Sequence, residues 1–284
     1  MYVEVGPASL VITGEKDGEA HAFLREEVED LVAGILRNIR ECLPVLRQKA
    51  CKIRNVSALP EVAKRMTAAV RMIDETTLTP MAAVAGTVAD MIKEHFAAQG
   101  LDLLMVNNGG DLSIFNAAGR TLTVGIGDIM TGNATPYVIR LTDTRDLGMA
   151  TSGFGGRSLT LGIADTVTAI AGSGAVADAA ATYICNHATV AADAVKRVAA
   201  VLIDPETDIP DEEVTVEVGP LTDALVTEAL VKALKTADTL TDRNIIDYAV
   251  MALKGIIVTT DTSNKSKNIT LEVQDGNQKD RHHR

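Results

Sequence analysis

Apolar and polar residues alternate along residues 2–12, and the run ends at Thr13-Gly14, the period-2 pattern of a strand entering a turn. From Ala20 to Leu43 the period changes. Leu24, Val28, Leu31, Val32, Ile35 and Ile39 recur at three- and four-residue steps and form one apolar helical stripe. Arg25, Glu26, Glu29 and Asp30 take the other face. A second helix is expected from Pro60 to about Ile73, and a third over Met81–Ala98, opened by Thr79-Pro80 and closed by Gly100. Leu101–Val106 reads as a buried strand that runs into the turn Asn107–Asp111. Strands follow near Leu112–Phe115 and Thr121–Ile126, joined as a hairpin through Ala118-Gly119, and again over Pro136–Leu141.

The second half opens with a Gly/Ser-rich stretch, Thr151–Gly156, and a strand-like run from Ser158 to Ile170. The pattern then predicts a helix over Ala175–Asn186 with its cap at or near Ser173, and a small-residue helix over Val190–Leu202. A strand over Val214–Val218, helices over Leu221–Leu234 and Asp242–Leu253, and a strand over Gly255–Thr259 complete the ordered part. After Asp261 the chain is polar apart from Ile269–Val273. The expectation is a single domain over residues 1–261 and a polar, partly disordered carboxy-terminal segment over 262–284. Strands that alternate with helices but are often joined by short turns predict an α+β fold, a mixed, largely antiparallel sheet packed with helices. Ala82–Asp90 and Ala175–Thr182 are both Ala/Gly-rich, a pattern that composition or a weak internal duplication would produce.

Composition narrows the function. Aromatic residues are 3% of the chain and Trp is absent, so base-stacking surfaces are disfavoured and the core is built from small and aliphatic side chains. With 38 acidic against 27 basic residues the net charge is −11, which repels nucleic acid over most of the surface. A small phosphorylated ligand remains compatible, because backbone N–H groups or a metal neutralise it locally. The three cysteines, Cys42, Cys51 and Cys185, are widely spaced and form no CxxC pair, as expected of reduced thiols in a cytoplasmic protein. The opening residues show no signal-peptide pattern, and no apolar run reaches the roughly 20 residues that span a bilayer. The basic ending with His282 and His283 reads as a solvated tail. Small-residue helices and a sheet edge are compatible with a homodimer.

Four places can carry chemistry. Asp178 and Thr182 stand at i and i+4 of a helix, so a carboxylate and a hydroxyl point the same way. The spacing admits either a polar pair on a surface helix or two oxygen ligands for Mg²⁺ beside a phosphate. Asn108, Gly109, Gly110 and Asp111 form a strand-end turn that suits backbone approach to a ligand or a simple reversal. Thr151, Ser152 and Gly153, with Gly155 and Gly156, could cradle phosphate through N–H groups, although no Gly-Lys-Ser/Thr of a P-loop follows. Asp165 is a carboxylate inside a strand-like run. His21, His95 and His187 are isolated, and no nucleophile–base pair emerges.

In order, Ala83–Asp90, Val106–Asp111, Thr151–Gly153 and Asp178–Thr182 resemble successive motifs of ApbE proteins, Mg-dependent enzymes that use FAD to attach FMN to a protein threonine. The resemblance covers about residues 79–186 and most resembles the short branch called uncharacterised protein family 0280. It implies an ApbE-like, T-fold-like α+β fold, Asp178 and Thr182 as metal ligands, Asn108–Asp111 near a flavin nucleotide (FAD or FMN), and Thr151–Gly153 as a ligand-facing loop. Two departures stand out. Ala85 occupies the position where ApbE proteins carry Lys, and their His-Ile-Ile-Asp-Pro-x-Thr-Gly segment has no counterpart before Asp178. Ile203–Asp208 looks similar to that segment but follows the metal motif, as a coincidence would. The resemblance therefore implies either a Mg-dependent flavin transferase-like or pyrophosphate-cleaving protein, or a non-catalytic ligand-binding or assembly factor that keeps the fold. A purely structural role for all four motifs is the third reading.

Overall fold

The computed structural model describes residues 1–127, 132–260 and 268–274. Its chain builds a large antiparallel sheet in two similar passes. In the first, the hairpin β1 (Tyr2–Val5) and β2 (Ala8–Lys16) is followed by α1 (Arg25–Leu46), α2 (Glu61–Ile73) and α3 (Val84–Ala97), then by the hairpin β4 (Leu103–Asn108) and β5 (Asp111–Asn116). A short β3 (Glu19–Ala20) folds back on β2. In the second pass, β8 (Asp146–Ser152) and β9 (Thr166–Ala171) lead into α4 (Gly174–His187) and α5 (Asp223–Asp242), then β12 (Tyr248–Leu253) and β13 (Ile256–Thr259). The strand order is β1-β2-β4-β5-β8-β9-β12-β13, so the two passes meet where β5 pairs with β8, Leu112 opposite Met149.

Each face of this sheet is closed by a different layer. The helices cover one face: α3 packs on β4 and β5, α4 on β8 and β9, and α5 on β12. The other face carries Leu112, Ile114, Leu147, Met149, Ile170, Tyr248 and Val250. It packs against a second, three-stranded sheet made of β6 (Leu122–Gly127), β7 (Ala134–Leu141) and β14 (Ile269–Val273), ordered β14-β7-β6. The fold is α+β as expected, with antiparallel pairing throughout the described strands. The apolar Ile269–Val273 is thus a strand; residues 261–267 and 275–284, with the expected disordered tail and its histidines, lie outside the described residues.

Several local expectations are corrected. β5 and β6 are not a hairpin, because both edges of β5 are taken by β4 and β8, and the turn at Ala117–Gly119 carries the chain into the other sheet. Asn116, fully buried, ties this crossing to the return: its amide donates to the carbonyls of Arg120 (2.8 Å) and Thr144 (3.0 Å). Residues 190–202 are not a helix. β10 (Val195–Ala199) pairs there with β11 (Glu213–Val218), and partner-strand hydrogen bonds override the helical preference of alanine. Residues 242–253 are likewise no helix: α5 continues to Asp242, Asn244 turns at a φ of +56°, and β12 follows. β12 is buried between helices and small sheet, so its apolar run has no alternation by which to tell strand from helix. The run 158–170 is strand only from Thr166, and the preceding residues form a loop.

Candidate functional site

The site begins at the crossing of α3 and α4. Gly86 and Gly174 bring the helices into backbone contact: a Cβ added to Gly86 would lie 2.1 Å from the Gly174 carbonyl oxygen. Four residues beyond each glycine stands an aspartate, in Gly-Thr-Val-Ala-Asp90 and Gly-Ala-Val-Ala-Asp178. Each aspartate caps the other helix. Gly174 N–H and Ala175 N–H donate to the Asp90 carboxylate at 2.8 and 2.9 Å, and Gly86 N–H donates to Asp178 Oδ2 at 3.0 Å. Ser173 completes the start of α4 by accepting from Val176 N–H at 3.3 Å. Helix amino termini favour negative charge, so both carboxylates are held in place by backbone dipoles.

Asp178 differs from Asp90 in facing a cavity. This space, of about 1260 Å³, lies among the start of α3, the β4–β5 turn, the end of β8, one face of α4 and β6 of the small sheet. Asp178, Thr182 and Asn186 reach it as one stripe along α4. Across from them Asp111 opens β5, where its carboxylate accepts from the backbone of Thr151. Burial pushes the Asp111 carboxyl up from its ordinary value of 3.8 to about 7, against the opposing pull of the Thr151 N–H and the Arg157 guanidinium. Burial also raises Asp178 well above the carboxylate range, and the charge of Asp111 adds to it, against the N–H groups of Gly86 and Ala85. Two carboxyl groups in one buried space, the charge of one raising the proton affinity of the other, favour a proton or a cation between them.

The sequence-derived candidates divide accordingly. Gly109, Gly110, Asp111, Thr151, Ser152, Gly153, Asp178 and Thr182 all line the cavity. Asn108 lies beneath it: buried, it accepts from Ser9 N–H at 3.3 Å and donates to the Ala85 carbonyl at 3.2 Å, joining β4 to β2 and to α3. Asp165 is not brought to the cavity. Its carboxylate accepts from Lys254 N–H at 2.6 Å, pinning the β12–β13 turn beside a separate pocket of about 170 Å³. A carboxylate inside an apolar run here serves a turn, which the sequence pattern could not distinguish from a site.

Other cavity residues are ones that the sequence reading does not single out, as with Arg157, or sets aside, as with His187 and Ile203–Asp208. Arg157 reaches back from the loop after β8 and lays its guanidinium against Gly109. His187 stands at the end of α4, with Nδ1–H donating to the Tyr183 carbonyl (2.8 Å). Asp204, Glu206, Thr207 and Asp208 form part of the wall, so the Ile203–Asp208 segment does reach the cavity. Asp208 accepts from the Thr79 hydroxyl, which itself caps the turn Pro80–Ala83. His21 and His95 are elsewhere, against Phe23 and Glu27.

The donor set can be tested against a hard divalent cation. Asp111, Asp178 and Thr182 supply only oxygen donors, and the two carboxylates in one buried space feel the pull of one guanidinium, that of Arg157 on Asp111, a balance that still suits such a cation. Among the described residues no three His, Cys, Asp or Glu side chains converge as a metal cluster. The fit is to an ion that keeps waters or takes further oxygens from a ligand, the habit of Mg²⁺ with phosphates.

Taken together, these features define an α+β protein with an acid-lined cavity at the junction of two four-stranded halves. The chain belongs to the family described as AbpE bacteria, which matches residues 1–260. It is 33% identical over 135 residues to a UPF0280 protein of Methanothermobacter thermautotrophicus, covering 47% of this chain and 50% of that one. A UPF0280 protein of Methanopyrus kandleri is 36% identical over 137 residues, 47% of this chain and 52% of the relative. The chain thus spans about half the length of the curated relatives it matches. Solved structures with a similar chain path include the apo form of the flavinyl transferase ApbE of Pseudomonas stutzeri, at 15% identity and a TM-score of 0.47 over 92% of this chain and 94% of that one. The ApbE protein of Thermotoga maritima gives 10% identity and a TM-score of 0.48 over 92% and 98%. Among the described residues no helix is long and apolar enough to cross a membrane.

Proposed function

We propose that the cavity binds a flavin nucleotide, FAD or FMN, or a similar phosphorylated small ligand, together with Mg²⁺. The observation that carries this reading is the pair Asp111 and Asp178, which face one cavity, with the charge of Asp111 raising the proton affinity of buried Asp178. Asp178 and Thr182 would hold the cation from α4, and Asp111 from the opposite wall. When bound there, a divalent cation would offset the charge of a phosphate or pyrophosphate. The protein's own part is positioning. The amino terminus of α3 fixes Asp178, the Thr151 N–H fixes Asp111, and Gly110 in the β4–β5 turn leaves open space through which a ligand can approach the backbone. The four ordered motifs that resemble ApbE proteins support a flavin as the ligand and transfer or pyrophosphate cleavage as the chemistry. Ala85, uncharged on the cavity wall where that resemblance calls for Lys, favours the second reading, a binding or assembly factor without turnover.

Titration of the purified protein with FAD, with and without Mg²⁺, tests the proposal by flavin fluorescence and calorimetry. Tight Mg-dependent binding is expected, weakened at least about tenfold in Asp178→Asn, which keeps the size of the side chain while removing its charge. Equal FAD binding with and without Mg²⁺ would refute the cation site, and absence of FAD binding would refute the flavin. Appearance of AMP and FMN during incubation separates an enzyme from a binder.

A further inference from the structure

We infer that Arg157 is the specificity-determining residue by which the cavity takes a phosphate-bearing ligand in preference to the same ligand without its phosphate. The inference rests on the proposed ligand class and adds to it the group that would recognise the anion.

Charge distribution around the cavity poses the problem. Asp111, Asp178, Asp204, Glu206, Asp208 and Glu212 line it, so an entering anion meets a wall of like charge. Three cationic side chains oppose them: Arg47, Lys49 and Arg157. Two are already engaged. Arg47 pairs with Glu206 at 3.2 Å, and Lys49 pairs with Glu212 at 2.8 Å while donating to the Thr77 carbonyl at 2.6 Å. Among the described residues no carboxylate lies within ion-pair distance of Arg157.

Its placement is also built. Gly109 has a φ of +66°, and a Cβ there would lie 1.5 Å from Arg157 Nη2 and 2.6 Å from Cζ. The glycine therefore provides both the turn and the space in which the guanidinium rests. That places the planar donor fork at the β4–β5 turn, close enough to Asp111 to pull on its charge. A phosphate at the turn could take paired hydrogen bonds from the guanidinium on one side and meet a cation held by Asp111 and Asp178 on the other. Arg157 would then supply positive charge from the loop after β8, in a cavity where Ala85 supplies none.

The test compares riboflavin, FMN and Mg-pyrophosphate as ligands of the full chain and of Arg157→Gln, Arg157→Lys and Gly109→Ala. Circular dichroism and thermal unfolding first confirm that each variant is folded. Riboflavin and FMN share the ring and differ in the phosphate, so their affinity ratio reads the anion contact directly. Arg157→Gln is expected to weaken FMN and pyrophosphate at least about tenfold with riboflavin unchanged, and Arg157→Lys to recover part of the loss. Gly109→Ala, which displaces the guanidinium, should lower FMN affinity in the same direction. Equal weakening of riboflavin and FMN, or no weakening of FMN, would overturn the inference. Pyrophosphate binding that depends on Arg157, with no flavin bound by the unaltered protein, would uphold Arg157 and refute the flavin reading. FMN bound alike by the unaltered protein and Arg157→Gln would do the reverse. Neither flavin nor pyrophosphate bound by the unaltered protein would overturn both.

Discussion

Asp90 and Asp178 occupy matching places on two helices, four residues beyond a glycine at the crossing, yet only one faces the cavity. Asp90 is buried and spends its carboxylate on the two N–H groups at the start of α4 and on the Ser113 hydroxyl. Asp178 shares one oxygen with Gly86 N–H and shares the cavity with Asp111. The consequence for pH is specific. A carboxyl whose proton affinity is higher folded than unfolded makes the folded state bind more protons, so stability falls as pH rises between the two values. For Asp111 that window runs from its ordinary 3.8 to about 7, and Asp178 adds in the same direction. Without metal, the unfolding temperature should therefore drop across this window through these two groups, and replacing Asp111 with Asn should flatten the dependence. Mg²⁺ needs both groups ionised, so it should stabilise more at about pH 8 than at about pH 5.5. Calorimetric scans at both pH values, with and without Mg²⁺, check this, and equal Mg²⁺ effects would count against the acid pair as its site. Asp178 and Thr182 were legible in the sequence because a four-residue helical step is a local property. Arg157 and Gly109 are far apart along the chain, and no local pattern announces their contact.

At the scale of elements, the crossing of α3 and α4 orients the site. Because the atoms nearest an added Cβ at Gly86 belong to the backbone of α4, no rotamer change can relieve the clash. Gly86→Ala should cost about 3 kcal/mol in urea denaturation, the upper part of the range for overpacking. Asp90→Ala should cost a similar amount, about 3 kcal/mol, by leaving buried N–H groups of α4 without an acceptor. Ala-rich segments show why element prediction succeeds unevenly. Residues 174–187 are helical as expected, with Ser173 as a cap, whereas residues 195–199, in the stretch 190–202 expected to be a small-residue helix, join a strand pair. The difference is the partner: β11 offers Val195–Ala199 a ladder, while α4 buries its alanines against α3, β8 and β9.

For the molecule as a whole, the antiparallel sheet joins two halves, and residues from both halves line the cavity beside the β5–β8 seam. Asp111 comes from the first half and Thr151 and Asp178 from the second, while β6 of the small sheet contributes Val124, Gly125, Ile126 and Gly127. A ligand held there contacts groups that come apart only when the layers separate, so binding should be coupled to global unfolding. At a free concentration one hundred times its dissociation constant, FAD with Mg²⁺ should add about 2.7 kcal/mol to stability. A thermal-shift series in ligand concentration measures this. A shift with FAD that does not depend on Mg²⁺ would separate flavin binding from the acid pair.

The sequence by itself determined the fold class, most helix and strand positions, and the four ordered motifs, since each rests on periodicity, caps or turns within a short stretch of chain. Eight of its ten candidate site residues line what proves to be one cavity. Tertiary structure alone decided the rest. It sent β6 to a second sheet because β5 had both neighbours already, and made 248–253 a strand because both faces of that run are covered. It assigned Asp165 to a turn, and seated Arg157 over Gly109 beside Asp111. Those outcomes depend on which surfaces meet, and a contact between residues distant in the chain has no local period from which to read it.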